Sequence, residues 1–111
     1  MKILFVCGRN LQRSPTAARI FASEPGMSVR SGGTAKSSAR RVSADDLRWA
    51  DLVLVMEERY SERLWELFPE AMEGVVVRSL EIPDDYKYMD PELVEEIRFG
   101  VAGVLREMGL G

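Results

Sequence analysis

Histidine is absent from the chain. That excludes Ser-His and Cys-His dyads and disfavours a catalytic zinc site, since imidazole is the usual partner in each. Any nucleophile must be activated without it. Cysteine occurs once, at Cys7, so no intramolecular disulfide can form. A lone thiol with no export signal fits a reducing cytosol, and the expected location is cytoplasmic. The opening segment Met1–Cys7 has a single lysine and a short apolar run with no small-residue cleavage site after it, unlike a secretory signal. No apolar run approaches the roughly 18–20 residues needed to span a bilayer, so no membrane partner is expected. A basic excess is also missing. The net charge is −3, which argues against nonspecific nucleic-acid binding.

What is present suits one soluble globular domain over residues 1–111, because a chain of 111 residues can bury one core but not two. Lys2–Val6 is a short apolar, β-branched run and reads as a buried strand. Cys7–Gln12 is polar and reads as a loop, and Ser14-Pro15 reads as a helix start with the serine as cap. A second strand is predicted at Met27–Ser31, followed by a long surface loop over Gly32–Arg41. Ser43-Ala44-Asp45-Asp46 opens a short helix. Asp51–Met56 is a third strand, and Tyr60, Leu64, Leu67 and Phe68 share one helical face. Gly74–Leu80 reads as a fourth strand and Ile82–Met89 as a loop. Asp90-Pro91 caps a last helix whose apolar stripe runs from Leu93 to Met108. This alternation implies an α/β three-layer sandwich: a four-stranded parallel sheet, helices on both faces, Rossmann-like. In such sheets ligands bind beyond the carboxyl ends of the strands where the strand order reverses, and Cys7 ends the first strand there.

The segment Cys7-Gly8-Arg9-Asn10-Leu11-Gln12-Arg13-Ser14 carries the chemistry. If its backbone curls into a ring, its N–H groups converge with the free amides of the following helix on one point, an anion site. Gly8 and Asn10 tolerate the unusual dihedrals of such a ring. The Arg13 guanidinium can fork onto two phosphate oxygens. The same positive field would favour the anion of the Cys7 sulfur, with Ser14 adding a hydroxyl hydrogen bond. A lone cysteine at a strand end is more often a small buried hydrophobe. The preceding strand and following Ser-Pro helix start reverse those odds.

Cys7, Asn10, Arg13, Ser14 and Pro15 stand in the register C-x-G-N-x-C-R-S-P, and here the chain resembles the low-molecular-weight protein tyrosine phosphatases. Ser31-Gly32-Gly33-Thr34 is similar to that family's S-A-G-T segment, and Ala50–Glu57 to its third strand. Ile82-Pro83-Asp84-Asp85-Tyr86 falls where the family carries an Asp-Pro-aromatic loop. The resemblance implies a phosphomonoesterase acting through a phosphocysteine on Cys7, with phosphate bound by Gly8, Arg9, Asn10, Leu11, Gln12, Arg13 and Ser14. It also implies a loop aspartate as general acid and no metal or organic cofactor. Three departures stand out. Gly8 and Arg9 replace a bulky residue followed by glycine, and Gln12 replaces a frequent second cysteine. The chain is shorter between Thr34 and Ser43, which predicts a more open pocket. The Asp-Pro dipeptide is displaced.

Asp84, Asp85 and Asp90 compete for the acid. Asp90-Pro91 matches the family dipeptide by letters but is better explained as a helix cap. Alignment on the last helix puts Asp84 at the catalytic position, Asp85 in place of the proline and Tyr86 at the aromatic wall. Tyr88 could share the wall. Lys36, Arg40 and Arg41 form a basic loop cluster, either solvated surface or an attractor of acidic substrates. The expected substrate is a phosphotyrosine protein or a small aryl phosphoester. Oligomeric state is not encoded in anything visible. Two other readings compete: an arsenate reductase using an external thiol, and a phosphate- or phosphopeptide-binding module without catalysis.

Overall fold

Strand β1 (Lys2–Cys7) is the spine of the molecule: Ile3, Leu4, Phe5 and Val6 are all fully buried. The computed structural model describes residues 1–110. After β1 come α1 (Arg13–Phe21), β2 (Ser28–Gly33), α2 (Ala44–Trp49), β3 (Leu52–Val55), α3 (Glu58–Leu67), β4 (Val77–Ser79) and α4 (Pro91–Glu107). All strand pairs are parallel, and the spatial order is β2-β1-β3-β4. The chain moves from β1 to one side and then crosses back to the other. Right-handed crossovers therefore put α1 on one face and α2 and α3 on the opposite one. Helix α4 packs beside α1. The result is the expected three-layer α/β sandwich, with the end of β1 at the reversal point.

Central strands are apolar on both faces because both are covered. Leu52, Val53, Leu54 and Val55 of β3 are as completely buried as β1. Phe5 stacks on Phe21 of α1 with ring centres 5.9 Å apart. Helix α2 begins with a reciprocal cap: Asp46 N–H donates to Ser43 Oγ at 3.2 Å, and Ser43 N–H donates to Asp46 Oδ2 at 3.0 Å. Helix α4 begins as predicted, Asp90 Oδ1 accepting from Glu92 N–H at 2.9 Å with Pro91 in the first turn.

Three local expectations are corrected. Ser14 is not the cap of α1. The cap position is Gln12, without a side-chain hydrogen bond, and the Ser14 hydroxyl is engaged between the sulfur of Cys7 and Asn10 Oδ1. Strand β2 extends to Gly33, taking in residues read as loop, because Gly32 and Gly33 have no side chain to collide with the returning segment. A Cβ on Gly32 would lie 2.6 Å from Val42 Cγ2. Strand β4 pairs only over Val77–Ser79, shorter than the predicted Gly74–Leu80.

Candidate active site

The β1–α1 loop closes around the Cys7 sulfur. Asn10, at φ 55°, turns the chain so that its N–H donates to Sγ at 3.3 Å. The left-handed conformation suits asparagine better than most residues. Ser14 Oγ lies 2.9 Å from Sγ and 2.8 Å from Asn10 Oδ1. As a thiol, Cys7 can donate to Ser14 Oγ, whose own O–H donates to Asn10 Oδ1. As a thiolate, the sulfur can accept from both the Asn10 amide and the Ser14 hydroxyl. The cysteine is 3% exposed, on the floor of the site.

The segment after β2 fixes the ring's outer side. Thr34 N–H donates to Cys7 O, Ala35 N–H to Gly8 O and Ala39 N–H to Arg9 O, at 3.0, 2.8 and 3.1 Å. Ser38 Oγ also reaches Gly8 O at 2.9 Å. A trans peptide points its N–H opposite to its C=O. With the carbonyls of Gly8 and Arg9 turned to this segment, the amides of Arg9 and Asn10 face away from it, toward the interior of the ring. The Asn10 contact with sulfur follows that direction. Helix α1 adds donors: Thr16 N–H is bonded back to Gln12 O at 3.0 Å and Pro15 has no N–H, leaving the first-turn amides of Arg13 and Ser14.

Close approach at Gly33 makes this contact possible. A Cβ there would sit 2.7 Å from Gly8 O and collide with Ser38 Oγ. Gly33→Ala is expected to destabilise the fold by about 2 kcal/mol, the scale of overpacking a tight contact. Urea unfolding measures it, and an unchanged midpoint would show that the segment yields freely.

Arg13 is 3% exposed, and a buried guanidinium needs partners. Its Nη1 donates to Glu57 Oε2 and, at 2.8 Å, to Ile82 O, and its Nη2 donates to Tyr60 Oη at 2.7 Å. Of five N–H donors these three bonds leave Nε–H and one Nη2–H, the two that form a single edge of the guanidinium. That edge has the spacing for two oxygens of one phosphate. Burial works against the charge, but Glu57 and Tyr60 outweigh it and hold the titration of Arg13 above its ordinary value. Glu57 is the reciprocal case: partial burial opposes its charge, yet Arg13 and Arg59 keep it below the usual carboxylate range.

Above the sulfur lies a cleft of about 440 Å³ lined by Gly8, Arg9, Leu11, Gln12 and Arg13 of the ring, with Thr34, Ala35, Arg59, Tyr60 and Asp84. Asn10 and Ser14 lie beneath it, on the sulfur. Asp84 Oδ1 is 3.6 Å from Arg13 Nε. Asp85 does not line the cleft, and Asp90 is committed to the cap of α4. Tyr86 and Tyr88 are also absent from the lining. Tyr86 is half-buried against the core, and its hydroxyl is held above its usual titration range by desolvation and then by Glu96 and Glu92 of α4. The aromatic ring at the cleft belongs instead to Tyr60. Of the basic loop cluster, Arg40 is engaged by buried Asp46 at 2.7 Å, while Lys36 and Arg41 are exposed.

Sequence reasoning missed Glu57, Arg59 and Tyr60. On its helical face Tyr60 looks like one more apolar core residue. A usable signal existed: an arginine heading into a buried loop requires a carboxylate, and Glu57 follows β3, whose Val55 pairs with Val6.

No family model matches the chain. The low molecular weight protein-tyrosine-phosphatase Wzb of Escherichia coli K12 is 36% identical, over 77% of this chain and 78% of the relative. Wzb of Salmonella typhimurium is 33% identical over 78% and 77%. Among solved structures, the YwlE arginine phosphatase of Geobacillus stearothermophilus superposes with a TM-score of 0.67 at 26% identity, covering 98% of this chain and 95% of its own. Vibrio vulnificus Wzb in complex with benzylphosphonate gives 0.75 at 23%, covering 96% and 97%.

Proposed function

Since the chain belongs to the low molecular weight protein-tyrosine-phosphatase family, we propose that it hydrolyses phosphotyrosine in proteins, or small aryl phosphoesters, in two steps through Cys7. The Cys7 thiolate attacks phosphorus, a P–S bond forms and the P–O bond to the phenol breaks. Asp84 gives its proton to the departing phenoxide. Water then attacks the phosphocysteine, Asp84 takes a proton from it, and the sulfur leaves as thiolate with release of phosphate. Throughout, the Nε/Nη2 edge of Arg13 and the ring amides hold the equatorial oxygens.

The observation that carries this reading is the alignment of three parts in one cleft: Sγ on the floor with donors aimed at it, a guanidinium edge of Arg13 that no hydrogen bond occupies, and Asp84 at 3.6 Å from its Nε. The same placement favours Asp84 over Asp85, which lies outside the lining, and over Asp90, whose carboxylate is held at the start of α4. The buried free thiol is consistent with work in the cytoplasm.

Release of inorganic phosphate from a phosphotyrosine peptide by the unmodified chain tests the function. Asp84→Asn tests the acid. An acid matters more as the leaving group becomes more basic, so the loss in kcat should be about a hundredfold or more with phenyl phosphate but nearer tenfold with p-nitrophenyl phosphate. Equal losses with both esters, or a larger loss in Asp85→Asn, would transfer the role elsewhere.

A further inference from the structure

The chain is acidic overall, yet its cleft is lined by Arg9, Arg13 and Arg59 against one carboxylate, Asp84. Arg13 is accounted for by Glu57 behind it and by the phosphoryl group it would receive. The other two are surplus to that chemistry. Arg59 is 65% exposed and held in place: its guanidinium lies over the Tyr60 ring at 4.8 Å and donates to Tyr60 Oη at 2.9 Å and Glu57 Oε2 at 3.2 Å. Tyr60 reaches that position because Gly8 has no side chain; a Cβ there would press on Tyr60 Oη at 3.2 Å. Arg9 follows directly. Its carbonyl is tied to Ala39, but its exposed side chain enters none of the ion pairs found among the described residues.

We propose that Arg9 and Arg59 form a subsite at the cleft mouth that binds carboxylates flanking the phosphorylated tyrosine, so that the substrate is a phosphotyrosine in an acidic peptide segment. This rests on the phosphatase reading for the site but draws on side chains that reading does not use. Arginine suits the task, because its charge persists at all working pH values and its planar fork matches a carboxylate. Both side chains are solvated, so each contact is modest, salt-sensitive and a source of selectivity more than of raw affinity. Lysines beside the phosphotyrosine would meet like charge.

Peptide binding to the Cys7→Ser protein, followed by fluorescence anisotropy, reads the subsite without turnover. Phosphotyrosine peptides of one length with Asp/Glu, Ala or Lys flanks should rank in that order. The acidic peptide should bind about fivefold tighter than the neutral one at low salt, with the gap closing toward about 0.5 M NaCl. Adding Arg59→Gln or Arg9→Gln should shrink the ratio, and both together should bring it to one. Equal affinity for acidic and neutral peptides would overturn the subsite, as would a preference that survives the double replacement. A gain from a second phosphate but none from carboxylates would overturn the assignment to acidic peptides. If the unmodified chain turned over none of the peptides, the phosphatase reading would fall, whereas a charge-ranked preference in the Cys7→Ser protein would still support the subsite.

Discussion

Cys7→Ser is expected to abolish turnover of p-nitrophenyl phosphate while leaving phosphate binding intact. A serine hydroxyl needs a general base to become a nucleophile at neutral pH, and no histidine exists anywhere in the chain to act as one. The loss in kcat should be at least about ten-thousandfold, the scale on which removal of a nucleophile acts. Binding should survive because the oxyanion contacts come from the ring amides and Arg13. The replacement is nearly isosteric, and a serine hydroxyl can keep the bond to Ser14 that the sulfur now has at 2.9 Å. Steady-state kinetics with phosphate titration by calorimetry separate the two effects. Activity within tenfold of the unmodified protein would mean that sulfur is not the attacking atom.

Arg13→Lys is the second large effect. Lysine keeps the charge and loses the planar fork, so a phosphoryl group would no longer be held by two parallel bonds. It also cannot satisfy Glu57, Ile82 O and Tyr60 while presenting a further pair of donors to the cleft. The expected fall in kcat is about a thousandfold, the upper range for removing a transition-state donor. Stability should drop by about 1–3 kcal/mol through the broken charge-assisted bonds. Vanadate affinity should fall together with kcat. Retention of kcat within tenfold would show that the amides alone suffice.

The parts of this site that a sequence can reveal are those written locally. An apolar run ending in Cys7 and a Ser-Pro helix start bracket the ring, so its position and the cysteine at its floor are legible in the sequence. The cap at Asp90 was legible for the same reason, since cap and first turn are neighbours in the chain. Contacts made across the sheet are not. The partners of Arg13 come from the turn after β3, from α3 and from the carbonyl of Ile82, and only the fold brings these to one guanidinium. Its position in the loop suggests Tyr86 at the cleft, but its ring rests on the core and Tyr60 lines the cleft. The polar, glycine-rich segment Gly32–Arg41 reads as surface, and from Lys36 to Arg41 most of it is exposed. What composition does not show is that the same segment brings backbone close enough to backbone for Ala35 and Ala39 to bond the ring.

That bonding has a consequence for the working protein. With the carbonyls of Cys7, Gly8 and Arg9 already taken, the first peptide planes of the ring are held when an oxyanion arrives, and they have little conformational entropy to surrender. A rigid receptor of this kind cannot distinguish an ester's phosphoryl end from the free orthophosphate it has just produced. The released ion would linger, and the ambient phosphate of the surrounding fluid would compete with substrate at every encounter. Whatever discrimination the enzyme achieves must come from the rest of the molecule it is offered.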